Sequence, residues 1–241
     1  MKKRNILIGI IFLASCSSPP SQPASLWDSL PPAEPDAAKT LPSEIWHAPE
    51  SPSDPAEPQN MDPVETEIVG TIVLNEIFYD SAESDTDGNL FVELFGTPDL
   101  PLNGFKIAFV NGSDGGVYDS VTIPMGAKVR EDGFFVVADS EIGSSTASHI
   151  FEADLIDNFD PQNGPDAVQL LDTKGQLLDV VGYGESLAPL AKNGLASFEE
   201  APTLDVAAGH SLERKAVGLD TDDNAADFMD QDIPSPGSSP E

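Results

Sequence analysis

Apolar residues beyond position 67 occur in short alternating runs, which Gly, Pro, Asn and Asp separate. Such runs are typical of short β-strands joined by tight turns, and no stretch carries the stripe of an amphipathic helix. The pattern predicts strands at 68–79, 90–95, 105–110, 117–123, 134–138, 167–172, 177–183 and 210–214. We therefore expect residues 67–237 to form one all-β sandwich rather than two domains.

Turn chemistry supports the strand prediction. Three turns between apolar runs contain a glycine after a polar residue: Asn111-Gly112, Asp132-Gly133 and Lys174-Gly175. Glycine adopts at low cost the positive φ that tight hairpin turns need. The runs 167–172 and 177–183 are therefore expected to form a hairpin about Thr173-Lys174-Gly175.

The start of the chain has a different pattern. Basic residues at 2–4 precede an apolar run at 6–13, and small residues follow at 14–15. This order is typical of a cleaved signal peptide, here residues 1–15. The apolar run is shorter than the roughly 20 residues that a membrane-spanning helix needs, so no permanent transmembrane anchor is expected.

Leu13-Ala14-Ser15-Cys16 resembles the lipobox of bacterial lipoproteins. The resemblance implies cleavage before Cys16 and acyl chains on its thiol and on the new amine. Because each buried methylene contributes about 0.8 kcal/mol, several chains hold a protein to a bilayer more firmly than one. Cys16 is the only cysteine, so an exported chain would otherwise carry a free thiol. In the lipoprotein family, an Asp directly after the lipidated cysteine resembles a signal for retention in the inner membrane. This chain has Ser17 at that position, so the resemblance implies the outer membrane.

Residues 16–66 are rich in proline, acidic and small residues. Twelve of the 22 prolines of the chain fall in this region. So few aliphatic residues cannot offset the entropy of ordering, and we predict a disordered tether. The only tryptophans, Trp27 and Trp46, lie within it, and they are either docking motifs or incidental. Residues 238–241 are predicted to be a disordered tail.

The net charge of the chain is −31. Nucleic acid is not an expected partner, because phosphate binding needs clustered Lys and Arg. An acidic surface instead favours solubility, a cationic partner or a divalent metal ion.

Several blocks beyond position 67 carry a family resemblance. They are Ile72-Val73-Leu74-Asn75-Glu76-Ile77, Phe91-Val92-Glu93-Leu94, Leu102-Asn103-Gly104-Phe105-Lys106-Ile107, the stretch 165–172 with Gly175 and Asp179, Gly182-Tyr183-Gly184, 209–214, 218–224 and Asp227-Phe228. Together they resemble the lamin-tail domain, an immunoglobulin-like β-sandwich of nuclear lamins and of many exported bacterial proteins. The resemblance implies an immunoglobulin-like sandwich over nearly all of this region. The chain departs from the family pattern at Leu90, where the family has an acid. Residues 141–162 match no part of the family pattern.

The sequence offers little for catalysis. The three histidines are His47, His149 and His210, the only cysteine is Cys16, and no serine lies in a Gly-x-Ser-x-Gly turn. The stretch Gly182-Tyr183-Gly184-Glu185-Ser186 has no serine at its centre, so a nucleophile elbow is not supported. We therefore expect no catalytic residues and a protein that is not an enzyme.

Glu76 is the most informative acid of the first strand. Strict alternation places it on the face of Ile72 and Leu74, which is the expected core. A carboxylate there must be paired or neutral. Arg214 is the predicted partner in a structural ion pair, and the alternative is a ligand site.

Two acidic segments are candidate calcium sites. One contains Asp220, Asp222, Asp223, Asn224 and Asp227, whose oxygens suit the flexible shell of calcium, and the alternative is a turn capped by Asp222 or Asn224. The other, with Glu83, Asp85 and Asp87 before Gly88, resembles half of a calcium loop. An EF-hand would place its last acid at Leu94, so the alternative is a solvated turn. No cofactor is certain, and calcium remains open.

These observations predict a membrane-anchored, non-enzymatic lipoprotein that binds or scaffolds an envelope or extracellular protein. Its contact with the membrane is the lipid on Cys16. The alternative is an accessory or calcium-binding domain of an extracytoplasmic hydrolase or adhesion system, which rests on analogy with other chains. The sequence does not identify the partner or the oligomeric state.

Overall fold

The computed structural model describes residues 70–240. The predicted signal peptide, Cys16, the predicted tether, its two tryptophans and His47 lie outside these residues. Within them, the elements are β1 (Ile72–Phe78), β2 (Phe91–Gly96), β3 (Lys106–Asn111), β4 (Val117–Thr122), β5 (Phe134–Asp139), β6 (Leu155–Asp157), β7 (Asp166–Leu171), β8 (Leu177–Tyr183), β9 (Ser211–Arg214), α1 (Asn224–Asp227) and β10 (Phe228–Gln231). Among the same residues, no helix has the length and apolar character needed to cross a bilayer.

The strands form two sheets. A six-stranded sheet has the order β10-β9-β1-β2-β5-β6, and a four-stranded sheet has the order β4-β3-β7-β8. All pairs are antiparallel except β5 with β6. Buried apolar side chains from both sheets, such as Leu74 and Phe109, form one core. The predicted all-β sandwich is therefore confirmed.

All eight predicted strands are present, with ends that differ by at most four residues. The hairpin of β7 and β8 is also confirmed. Asp172 organises its turn, because its Oδ1 atom accepts hydrogen bonds from the N–H groups of Lys174 and Gln176, both at 2.8 Å. Gly175 has a φ of 77°, as the turn chemistry predicted. The elements that the pattern did not predict are β6, α1 and β10.

A β-bulge in β1 decides which side chains enter the core. Leu74 lies opposite Leu94 and Glu76 lies opposite Glu93, so Asn75 is the extra residue. Side chains along a strand alternate between the two faces of the sheet, and one extra residue reverses the face to which each later side chain points. Leu74 therefore faces the core, whereas Glu76 faces the opposite side of the sheet. The expectation that both residues share one face was wrong, because it assumed an unbroken strand.

Gly182 in β8 permits a close approach of the chain to the following loop. A Cβ atom at this position would lie 2.4 Å from the carbonyl oxygen of Ser197 and 2.7 Å from Cβ of Phe198. We expect Gly182→Ala to lower the free energy of unfolding by about 1–3 kcal/mol, because backbone must move to relieve the overlap. Denaturant unfolding measures this loss. Gly116→Ala is the control, since its Cβ would meet only the Asp114 side chain; equal stabilities of the two variants would contradict the prediction.

Candidate functional site

Arg214 is the centre of a buried ion network that joins the two sheets. Its side chain on β9 is fully buried. Nε donates to the carbonyl oxygen of Leu74 at 2.7 Å, and Nη2 donates to Oδ2 of Asp179 on β8 at 3.0 Å. Nη1 reaches Asp227 at 3.2 Å and Asp220 at 3.3 Å. One guanidinium therefore connects both sheets with the loop before α1 and with α1 itself.

The network is electrostatically asymmetric, because three carboxylates surround one cation. Burial raises the pKa of Asp179, although the charge of Arg214 and a hydrogen bond from the Leu74 N–H act in the opposite direction. Burial also raises the pKa of Asp227, but hydrogen bonds from Thr221 and the charge of Arg214 outweigh it, so this pKa is lowered. The arrangement is that of a structural ion network, whose acids all depend on one arginine.

The predicted ion pair between Glu76 and Arg214 is wrong. Arg214 follows Leu212 on the core face of β9, whereas Glu213 and Ser211 lie on the outer face. The bulge places Glu76 on that same outer face, where its Oε1 atom accepts a hydrogen bond of 2.5 Å from Ser211. The prediction that Glu76 is buried is nevertheless confirmed.

Three glutamates lie side by side on the outer face of the six-stranded sheet. Glu76 on β1 is in register with Glu93 on β2 and with Glu213 on β9. All three are fully buried, and we call them the glutamate cluster. Asn75 donates to Glu93 Oε1 at 2.9 Å, and Oε2 of Glu213 has no hydrogen-bond partner among residues 70–240.

Burial perturbs the titration of the whole glutamate cluster. It raises the pKa of Glu76 to about 7, that of Glu93 to about 8 and that of Glu213 to about 7. The negative charges of the neighbouring glutamates add to the increase for Glu93 and Glu213. Within the described part of the chain, no Lys, Arg or His forms an ion pair with any of the three.

The acids of the C-terminal candidate calcium site do not converge on one point. Asp220 and Asp227 contact Arg214, and Asp227 also accepts a hydrogen bond of 2.6 Å from the Thr221 hydroxyl. The exposed Asp222 has a φ of 57° and donates its N–H to Asp220. These acids therefore form a turn and pair with the arginine, and calcium binding by them stays a prediction.

Asp223 and Asn224 have separate structural roles. Asp223 is the N-cap of α1, because its side chain accepts a hydrogen bond from the Ala226 N–H. Asn224 is fully buried, and its Oδ1 atom accepts from Gly182 N at 3.0 Å and from Glu199 N at 3.1 Å. The sequence pointed to Asp222 or Asn224 as the cap, and the structure corrects this to the residue between them.

One other group of carboxylates lies close together in residues 70–240. Oxygens of Asp179, Glu199 and Asp220 are within 4.8 Å of one another, and only Asp220 belongs to the predicted set. Burial, with the charges of Asp179 and Asp220, raises the pKa of Glu199 to about 8. Arg214 already contacts Asp179 and Asp220, so its positive charge compensates two of these three carboxylates.

The second acidic segment is also turn chemistry. Asp85 Oδ1 accepts from the N–H of Ser81 at 2.7 Å, and Asp87 Oδ1 accepts from the N–H of Ile142 at 2.9 Å. Glu83 is exposed. The two aspartates hold different segments of backbone, so this loop does not gather its acids into a calcium shell.

The two described histidines lie apart from both networks. His210 Nδ1 is 2.7 Å from Oδ1 of Asp230, and His149 Nδ1 is 3.9 Å from Glu141. Neither hydrogen-bonds to a hydroxyl side chain within residues 70–240.

The sequence contained a signal for two of the residues that it did not assign. Glu93 is an acid within an apolar strand, and Asp179 precedes two valines in β8, so each suggested a buried acid. Glu213 lies in a strand with a single apolar residue and gave no such signal. The partners of these acids depend on the bulge and on pairing between distant strands, which no local pattern shows.

No family model matches the chain, and the search of curated proteins found no relative.

Proposed function

We propose that this chain is a lipid-anchored envelope protein whose sandwich, of lamin-tail type, binds or scaffolds another protein without catalysis. The observation that supports the proposal is where the residues of the family resemblance meet. Asn75, Glu76, Glu93 and Glu213 come from three separate blocks and form one buried cluster. Such side chains fix a fold and leave recognition to the surface, as in a binding domain.

A second set of resemblance residues supports the same proposal. Asp179 and Asp227 come from two further blocks and meet Arg214, which shares the block 209–214 with Glu213, in the arginine network. Chance similarity of short blocks gives no reason for their polar residues to converge twice. The sandwich domain proposed here is therefore of lamin-tail type, and its buried acids and arginine have structural roles.

The proposed attachment depends on Cys16, and the proposed partner on charge. The lipobox resemblance at 13–16 is the basis for diacylation of the cysteine, and Ser17 is the basis for outer-membrane location. A net charge of −31 favours a partner with a basic surface, since complementary charge speeds and orients association. Calcium has no part in this proposal. Asp220 and Asp227 accept hydrogen bonds from Arg214, and Asp85 and Asp87 accept them from backbone N–H groups.

The anchor is tested by replacing Cys16 with serine. We expect the wild-type chain to sediment almost wholly with membranes and to begin at an acylated Cys16, whereas Cys16→Ser stays uncleaved or becomes soluble. Membrane fractionation and intact mass measure both properties. Ser17→Ala is the control, which should remain acylated and membrane-bound. A mature wild-type chain that begins at Cys16 without added acyl mass would disprove the anchor.

A further inference from the structure

A short segment near the end of the chain covers the glutamate cluster. Residues 235–238, which we call the strap, give a hydrogen-bond donor to each glutamate. Ser235 donates its N–H to Glu76 Oε1 at 3.0 Å and its hydroxyl to Glu213 Oε1 at 3.2 Å. Gly237 donates its N–H to Glu93 Oε2 at 2.6 Å. The strap therefore removes all three carboxyl groups from solvent.

The strap has few other attachments. Ser238 closes a turn by donating its N–H to the carbonyl oxygen of Ser235, so the predicted disordered tail at 238–241 begins in an ordered turn. Gly237 accepts a hydrogen bond of 3.3 Å from Arg130. No apolar side chain of residues 232–240 belongs to the core, and Ile233 is 71 % exposed. The closed position therefore depends mainly on polar contacts with the glutamates.

Charge compensation at the cluster is incomplete. Val136 of β5 lies opposite Glu93, and Met229 of β10 lies opposite Glu213, so these neighbouring strands add no charge there. The cation nearest the strap is Arg130, which is paired with Asp132 at 3.1 Å and lies 3.6 Å from Asp154. It contacts a strap carbonyl rather than a glutamate.

Because charge compensation is incomplete, the Oε2 atom of Glu213 is buried without a hydrogen-bond partner in residues 70–240. A buried carboxylate oxygen without a donor or a cation is costly, and the cost is avoided when the group is protonated. The same argument applies to three carboxyl groups on adjacent strands, because ionisation of one opposes ionisation of the next. The hydrogen bonds from Ser235 and Gly237 lower the pKa of the three carboxyl groups, but burial raises it by more. Closing the strap over the cluster therefore favours the uptake of protons.

We propose that the strap is a proton-controlled latch, which closes over the glutamate cluster when its carboxyl groups are protonated and leaves it when they ionise. An open latch exposes the acidic outer face of β1, β2 and β9, and so presents a new surface for a basic partner. This inference does not depend on the lipid anchor.

Linkage gives the direction of the pH dependence. In the closed state, burial raises the pKa of Glu76 and Glu213 to about 7 and that of Glu93 to about 8, against an ordinary value of 4.5. The closed state thus holds more protons between these values, so closure is favoured at low pH and lost as pH rises through 7 to 8. The opening equilibrium grows up to about tenfold per pH unit for each proton released.

Amide hydrogen exchange of the strap in the full chain measures this equilibrium. After correction for intrinsic exchange rates, we expect the protection of the amide hydrogens of Ser235, Gly237 and Ser238 to fall at least tenfold from pH 6 to pH 8. A local measurement is needed because Asp166 and Glu199 also have raised pKa values, of about 6 and 8, and contribute to global stability. Protection that is constant, or that rises with pH, overturns the proposal.

The variant Glu213→Gln separates the contribution of the glutamate cluster to the pH dependence from that of other acids. Glutamine retains the acceptor for the Ser235 hydroxyl and places an amide where Oε2 has no partner. We expect its pH-dependent loss of protection to be at least threefold smaller than that of wild type, whereas the exposed control Glu131→Gln keeps the full dependence. Equal dependence in the two variants overturns the proposal.

Carbon-13 spectra of the glutamate carboxyl groups provide a second measurement on the wild-type full chain, which needs no folded variant. We expect resonances that titrate near pH 7, and we expect them to move towards 4.5 in a chain that ends at residue 233. If all glutamates of the wild-type chain titrate near 4.5, the latch is disproved.

Discussion

Replacing Arg214 with methionine is expected to lower the free energy of unfolding by about 3–5 kcal/mol. The substitution leaves Asp179 fully buried and without its cation, and it removes the hydrogen bond to the Leu74 carbonyl oxygen. The guanidinium carbon also lies 4.7 Å from the centre of the Phe228 ring, a favourable cation–π contact that methionine would lose. Denaturant unfolding at neutral pH measures the change.

Two further variants define the cause of this loss. Lys128→Met removes an exposed ion pair with Asp99 and should cost far less than Arg214→Met, because solvent screens that pair. Asp179→Asn combined with Arg214→Met should recover part of the stability, since it removes the uncompensated buried charge. If Arg214→Met costs no more than Lys128→Met, the network is not a major source of stability.

The strands that the sequence predicted are those whose burial is regular. β5 is buried at all six positions because it lies between β2 and β6, and its run of apolar residues is correspondingly continuous. β6 has three residues and pairs in parallel with β5, so it is too short to produce a pattern. β10 follows α1 directly, and its pairing with β9 depends on the tertiary fold.

The partners of the buried charges could not be predicted because one residue changes the geometry. The sequence identified Glu76 and Arg214 as buried charges, and both are fully buried. Asn75, as the extra residue of a bulge, separates them onto opposite faces of the sheet. The acids that pair with Arg214 come from β8, from α1 and from the loop before it, which are brought together only by folding.

The same separation explains why the two networks have different properties. Arg214 gives the acids of the core face a fixed cation, so their protonation is not needed for stability. Within residues 70–240, no cation forms an ion pair with the three glutamates of the outer face. Their burial is instead compensated by hydrogen bonds and by protonation. One bulge therefore places an ion network and a titrating cluster on opposite sides of one sheet.

The role of Asn224 distinguishes a structural turn from a calcium site. In the structure, its Nδ2 atom donates to the carbonyl oxygen of Val180 at 2.9 Å and to Oε2 of Glu199 at 3.1 Å. Asn224→Asp replaces this donor with an oxygen that faces two acceptors. We expect a loss of at least about 2 kcal/mol in the free energy of unfolding, because buried groups are left unpaired beside a second carboxylate.

Calcium is the decisive addition to this experiment. A calcium site built from these residues would gain a charged ligand in Asn224→Asp and would bind more tightly, so calcium would stabilise the variant by mass action. Because the side chain instead joins β8 to the segment before α1, we expect millimolar calcium to leave the melting temperatures of wild type and variant unchanged. Thermal melts with calcium and with chelator measure this.

Asp223→Asn is the matched control, since it changes the adjacent residue in the opposite chemical sense. Asparagine caps a helix about as well as aspartate, so the hydrogen bond to the Ala226 N–H should persist and the stability should change by less than about 0.5 kcal/mol. The two substitutions are expected to differ in their effect on stability because Asp223 is only partly buried at the start of the helix, whereas Asn224 is fully buried. A calcium-dependent rise of several degrees in wild type, increased in Asn224→Asp and reduced in Asp223→Asn, would instead establish the metal site.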